Sequence, residues 1–285
     1  MHSARHATGL MVLILSRAEL GAQAHEVEQR QAIRQTWGNE GLAPGLGVIR
    51  LFLLGVKEGD PGRRQQEMLE RESAQHRDIL QQNFTDSYLN LTVKTVMGLS
   101  WVAAHCPQAR YVMKTDSDVL VNTQYLVHEL LRPELQPRTN YTTGLVWRGI
   151  PPIRDKSHKY YMPREEYPGE VYPAYLSGLG YVFSGDLATE LYRASLSIPF
   201  LRFEDVYVGA CLESIGIEPT PAPGGLFAPW GLYYSSSRYS KVVAIHKFSP
   251  SELLDRWHRM QRDKLVPTLG LGMGTEVSVP ARTVK

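Results

Sequence analysis

Residues Tyr111–Asn122 read YVMKTDSDVLVN. Tyr111–Thr115 is a short, β-rich, largely apolar run, and it predicts a strand that breaks directly into Asp116-Ser117-Asp118. Two carboxylates at i and i+2, on a turn leaving a sheet, suit a hard cation with oxygen ligands. The plainer reading is a solvated acidic turn. Beyond it, Asn122–Leu131 predicts a helix.

Working back from this stretch, the chain alternates strand and helix signals. Leu10–Leu15 (LMVLIL) and Val48–Leu54 (VIRLFLL) are runs expected of strands buried on both faces of a parallel sheet. Between them Val27–Thr36 predicts a polar-faced helix closed near Gly38. Arg63–Gln82 is charged, with Met68, Leu69, Ile79 and Leu80 spaced for one helical face. Asn90–Ala104 predicts a further helix, with Asn90 placed to cap it and Pro107 to stop it. The order β-α-β-α-α-β-α predicts an α/β fold, a mainly parallel twisted sheet with flanking helices. Ligands of such sheets bind beyond the carboxyl ends of the strands, which is where the acidic turn falls.

Forward of the quoted stretch, Gly149–Gly180 is rich in Pro, Tyr and Gly and predicts much loop. Helices are expected at Asp186–Ala194 and Asp205–Ile215, and a late strand at Val242–His246. Glu204 and Asp205 sit where the second of these helices begins. Either acid could simply cap it. The functional reading is a general base, because a hydroxyl nucleophile attacks faster when a placed carboxylate takes its proton. Backbone N–H groups at the helix start would keep such an acid ionised. His246 ends the apolar run VVAIH; a strand histidine is usually a hydrogen-bonded core residue, yet neutral imidazole is a common metal ligand. Ser177-Gly178-Leu179-Gly180 would let backbone approach a ligand closely, or would form an ordinary tight turn.

Thirty-one basic residues against 29 acidic ones give a net charge of +2, which argues against nucleic acid as a partner. Leu10–Leu15 is far shorter than the ~20 apolar residues of a bilayer span, and no small-residue cleavage site follows it as in a signal peptide. Sequons at Asn83, Asn90 and Asn140 point to a secretory compartment. The only cysteines are Cys106 and Cys211. They read equally as two buried thiols or as one long-range disulfide made in an oxidising lumen. Residues after about Leu265 carry no core pattern and read as a disordered tail, 266–285.

Taken in order, seven blocks resemble the β-1,3-glycosyltransferases of glycosyltransferase family 31, with the GT-A fold, and most of all its β-1,3-galactosyltransferases. They are RQAIRQTWG (Arg30–Gly38), FLLG (Phe52–Gly55), DSYLNLTVKT (Asp86–Thr95), KTDSDVLVN (Lys114–Asn122), YMPREEYP (Tyr161–Pro168), SGLGYVFSGDLA (Ser177–Ala188) and EDVYVG (Glu204–Gly209). The resemblance implies one GT-A domain over 8–265. Its half 8–148 would bind UDP and metal, and its half 149–265 would supply the acceptor side and the base. It implies inverting transfer of galactose from UDP-galactose to the 3-hydroxyl of a terminal β-linked N-acetylglucosamine, with manganese. On the same basis Asp116, Ser117 and Asp118 are the D-x-D segment, and His246 completes the metal site with Asp116 and Asp118. Asp205 is the base, with Glu204 the second candidate. Arg30 and Arg34 are expected to help hold UDP, guanidinium suiting phosphate and uracil oxygens, unless they are a solvated helix face. Ser177, Gly178, Gly180 and Trp230 fall on the substrate side. A Cys106–Cys211 disulfide is favoured, and the location implied is the Golgi lumen or membrane, through an anchor this stretch of sequence does not display.

Three departures stand out. Leu176 and Ser237 occupy positions where related galactosyltransferases carry cysteine, so both members of a disulfide are replaced together. Leu179 replaces Thr, and Ala228-Pro229 precedes Trp230, which alters the acceptor side more than the donor side. Two alternatives remain open at this point: an N-acetylglucosaminyltransferase of the same family, and a catalytically dead sugar-nucleotide binding module.

Overall fold

The computed structural model describes residues 10–15, 23–42, 47–57, 60–132, 135–136 and 138–265; the expected tail at 266–285 lies outside them. In chain order the elements are β1 (Leu10–Leu15), α1 (Gln23–Gln35), β2 (Gly47–Val56), α2 (Asp60–His76), β3 (Ile79–Thr85), α3 (Leu91–His105), β4 (Ala109–Thr115), β5 (Val119–Val121), α4 (Thr123–Tyr125), β6 (Thr142–Trp147), β7 (Tyr175–Ser184), α5 (Gly185–Ser195), α6 (Glu204–Ser214), β8 (Thr220–Pro221), β9 (Phe227–Ala228), α7 (Ser236–Tyr239), β10 (Ala244–His246) and α8 (Pro250–Leu265).

A seven-stranded sheet runs β3-β2-β1-β4-β7-β6-β8. Its β3, β2, β1 and β4 are parallel, β7 joins antiparallel to β4, and β6 lies antiparallel to β7. This is the α/β, mainly parallel architecture expected. Successive strand residues alternate between two apolar cores, the consequence of a period of two on a sheet covered on both faces. Met11, Phe52, Tyr111 and Met113 pack into one core with Ala32 and Ile33 of α1 and Leu253 and Trp257 of α8. Val12, Leu51, Leu53 and Val112 pack into the other with Val102 of α3, Leu187 of α5 and Val208 of α6. Because β7 pairs with β4, strands from both expected halves share one sheet.

Several local expectations are corrected. The helix expected over Arg63–Gln82 ends at His76, and Ile79–Thr85 is the edge strand β3. Ile79 and Leu80 satisfy either periodicity; Arg77, in the left-handed region at φ 54°, stops the helix, and Asp78 turns inward to Arg34 and Arg50. Asn90 holds the N-cap position of α3 as expected but makes no capping bond: a 3-10 turn over Tyr88–Asn90 leads in, and the Asn90 side-chain amide donates to the Thr85 carbonyl at 2.8 Å. The helix expected over Asn122–Leu131 is split into α4 and a π-helical turn over Leu126–Leu131, after β5 has taken Val119–Val121. Ser177–Gly180 is neither loop nor tight turn but the inside of β7. There Gly180 approaches β4 so closely that a Cβ would lie 3.1 Å from Thr115 Oγ1. Sequence reading missed β6 and α8 altogether.

Candidate active site

The acidic turn joins β4 to β5, at the carboxyl end of the parallel strands. It is pinned on several sides. The Asp116 amide and Thr115 Oγ1 both donate to the Leu179 carbonyl, at 3.3 and 2.8 Å. Gln29 Nε2 of α1 donates to the Ser117 carbonyl at 2.7 Å, and the Phe248 amide to the Asp118 carbonyl at 2.9 Å. A second sheet, β5-β10-β9, brings in His246: β10 runs antiparallel to β5 with His246 opposite Val119, the residue after Asp118. His246 Nε2 lies 3.1 Å from Asp118 Oδ1, and one ligand atom each of Asp116, Asp118 and His246 falls within 4.8 Å of the others.

Burial pushes the Asp116 carboxyl above the usual range; Lys114 opposes this, while the charges of Asp118 and Glu204 add to it. Two carboxylates crowded in a half-buried turn are an arrangement that a cation relieves. The donors are two hard oxygens and one imidazole nitrogen, a set that manganese accepts. The residues present therefore fit the ion implied by the resemblance.

Across from the turn, Glu204 and Asp205 open α6, whose first residue is preceded by Phe203, a residue with no side-chain cap. Neither acid serves as a conventional cap. Glu204 is buried, accepting from Tyr181 OH at 2.5 Å and from Lys114 Nζ at 2.9 Å. Asp205 is half-buried and accepts from the Val206 amide at 2.9 Å. Burial, then the charge of Glu204, raises the Asp205 carboxyl to about 6, against the pull of the Val206 and Gly178 amides and of Lys114. The amides do pull the carboxyl toward ionisation, as expected of a helix start, but desolvation outweighs them and sets it above ordinary aspartate. An acid near 6 remains ionised at neutral pH and is a better proton acceptor for it.

Of the other sequence candidates, Gly178 lies beside the acids: a Cβ there would be 3.6 Å from Asp205 Oδ2 and 3.7 Å from Glu204 Oε2. Ser177 is half-buried on the same strand. Trp230 is 81% exposed in the loop after β9, and Tyr233 nearby, which sequence reading did not single out, is 92% exposed. Arg30 and Arg34 are not a solvated face. Arg30 is buried against Glu72 at 2.6 Å, and Arg34 against Asp78 at 2.8 Å and Glu72 at 2.7 Å. Their forks are held by carboxylates of the protein itself. Arg30 also lines a small, open groove beyond β2, with Leu54, Gly55, Lys57 and Asp86.

The favoured Cys106–Cys211 disulfide is corrected: both thiols are free, buried in the same apolar core. Burial lifts the Cys106 thiol and pushes that of Cys211 up to about 12, so each packs as a small apolar side chain. Asn83 and Asn140 are exposed and Asn90 half-buried. Lys114 and Tyr181, in contact with Glu204, were overlooked; the available signal was a lysine inside an otherwise apolar strand.

The sheet, with its acids gathered beyond the parallel strands, and the sequence relationships together put this chain in the class of glycosyltransferases. It belongs to the galactosyltransferase family: the family model described as Galactosyltransferase matches residues 28–223. The chain is 51% identical over 246 residues to Beta-1,3-galactosyltransferase 2 of Mus musculus, covering 86% of this chain and 58% of that protein. The same identity and coverage relate it to Beta-1,3-galactosyltransferase 2 of Homo sapiens. It is 48% identical over 239 residues to Beta-1,3-galactosyltransferase 1 of Mus musculus, covering 84% of this chain and 72% of that one. The chain thus spans 58% of the length of the first two relatives. Among solved structures it is similar to the WbbM bifunctional glycosyltransferase, at 14% identity and a TM-score of 0.42 over 86% of this chain and 46% of that one. No helix among the described residues is long and apolar enough to cross a membrane.

Proposed function

We propose that the chain is an inverting, metal-dependent β-1,3-galactosyltransferase that moves galactose from UDP-galactose to the 3-hydroxyl of a terminal β-linked N-acetylglucosamine. The observation that carries this reading is the convergence of Asp116, Asp118 and His246, within 4.8 Å of one another, at the carboxyl end of β4. These residues would hold a manganese ion, which would supply Lewis-acid stabilisation of the departing diphosphate. The groove beyond β2, lined by Arg30, Leu54, Gly55 and Asp86, takes the nucleoside end of the donor. Gln29, bonded to Ser117, keeps that groove in register with the acidic turn. Arg34, committed to Asp78 and Glu72, acts on the donor through the placement of α1 rather than by contact.

Asp205 accepts the proton of the acceptor 3-hydroxyl as that oxygen attacks the anomeric carbon from the face opposite UDP. The bond from that carbon to the diphosphate oxygen breaks, and configuration inverts in one displacement. The small Gly178 keeps the approach to Asp205 open. Glu204, bonded to both Tyr181 and Lys114, is not the base. Exposed Asn83 and Asn140 support glycosylation in a Golgi lumen.

Incubating the protein with manganese, a β-GlcNAc acceptor and either UDP-galactose or UDP-GlcNAc, while measuring UDP and product, tests this. Galactosylated product that disappears with EDTA is expected. Product only from UDP-GlcNAc overturns the donor, and no product from a folded protein that binds UDP overturns the enzyme.

A further inference from the structure

Lys114 has no place in the chemistry above, yet it sits at the centre of the site. It lies on β4 opposite Tyr181 of β7 and is 2% exposed. Its Nζ donates to Asp116 Oδ1 at 3.0 Å, to Glu204 Oε2 at 2.9 Å and to the Gly178 carbonyl at 2.9 Å. An ammonium has three donors, and all three are used. The other Glu204 oxygen is closed by Tyr181 OH, so this link cannot swing. Burying a charge among carboxylates is a poor way to gain stability, since apolar packing of similar volume serves as well or better. What the arrangement does provide is a rigid connection among three separate elements, β4, β7 and α6.

We propose that Lys114 is a positioning residue, clamping Asp116 to the start of α6 and so fixing the distance between the metal carboxylate and the Asp205 base. The proposal rests on the reading of Asp116 as a metal ligand and Asp205 as the base. Its third bond, to the Gly178 carbonyl, ties the same clamp to β7. Loss of partners that orient metal ligands commonly lowers metal affinity or activity about 10–100-fold.

Lys114→Met would leave Glu204 buried without a countercharge and could unfold the protein, so the decisive variant is the charge-balanced pair K114M/E204Q. Melting temperature, kcat, acceptor KM and the manganese concentration for half-maximal rate are measured beside wild type. The expected result is a wild-type melting temperature with kcat down about 10–100-fold, a raised manganese requirement and little change in acceptor KM. Wild-type kcat and manganese requirement in the double variant would overturn the proposal, leaving Lys114 as a neutraliser of Glu204. Failure of the metal reading is separable: wild-type enzyme would then turn over unchanged in EDTA.

Discussion

His246 Nε2 stands 3.1 Å from Asp118 Oδ1, although 128 positions separate the two residues in the chain. The contact is a product of the small sheet, in which β10 is laid antiparallel on β5 directly after the acidic turn. A neutral imidazole and two carboxylates so placed are the residues that would hold the proposed manganese ion. His246→Ala is therefore expected to raise the manganese concentration for half-maximal turnover by at least about tenfold, given the sensitivity of metal sites even to outer partners. A titration of rate against manganese checks this, and an unchanged midpoint would remove His246 from the site.

As the proposed base, Asp205 should set the acid limb of the pH profile. Its carboxyl, raised to about 6 by burial and the charge of Glu204, must be ionised to accept a proton. Turnover should thus rise as pH increases through about 6 and fall below it. A free aspartate would put that limb near about 3.9. Asp205→Asn should abolish transfer while leaving UDP binding, measured calorimetrically, intact. Retained turnover would refute the base.

The two glycines of the Ser177–Gly180 segment should respond differently to alanine. At Gly178 the added methyl has room, 3.6 Å from Asp205 Oδ2, so the protein should fold normally and lose acceptor affinity, seen as a raised acceptor KM. At Gly180 it would press on Thr115 at 3.1 Å and Met113 at 3.3 Å in the middle of the sheet. Overpacking of this kind costs about 1–3 kcal/mol, measurable by denaturant unfolding. Equal melting of the two variants would contradict the packing described.

Stability in acid should depend on the cluster of Arg30, Arg34, Arg50, Glu72 and Asp78. Burial alone would raise both carboxyls, but hydrogen bonds and charge from the arginines hold them below their ordinary range. For depressed acids the sign is fixed: their stabilisation is present above the unfolded values and lost as pH falls through the folded ones. Asp78→Asn leaves Arg34 and Arg50 without their buried partner and should cost about 3–5 kcal/mol at neutral pH. The variant should also show a flatter decline of stability in acid than wild type.

The free thiols of Cys106 and Cys211 should be unreactive in the native protein and both titratable once it is denatured without reductant. Burial explains the first outcome, because both groups are lifted above ordinary thiols and shielded. Finding no titratable thiol in the denatured, unreduced chain would restore the disulfide.

The local sequence determined where the candidate acids fall. An apolar run ending in Asp116-Ser117-Asp118 and a helix opening on Glu204-Asp205 were readable because periodicity and turn chemistry act over a few residues. The α/β class followed from the order of such runs. Tertiary structure alone decided which residues meet. Ile79–Thr85 became a strand because β2 offered it an edge, and Ser177–Gly180 became one because β4 and β6 flank it. It turned Arg30 and Arg34 from a helix face into buried ion pairs, through Glu72 and Asp78 lying 42 and 44 positions onward. It gave two adjacent acids different surroundings by closing Lys114 and Tyr181 around Glu204 while leaving Asp205 half-open. The physical reason is common to all of these. Hydrogen bonds and desolvation depend on which atoms lie within a few ångströms in space, and spacing along the chain does not encode that.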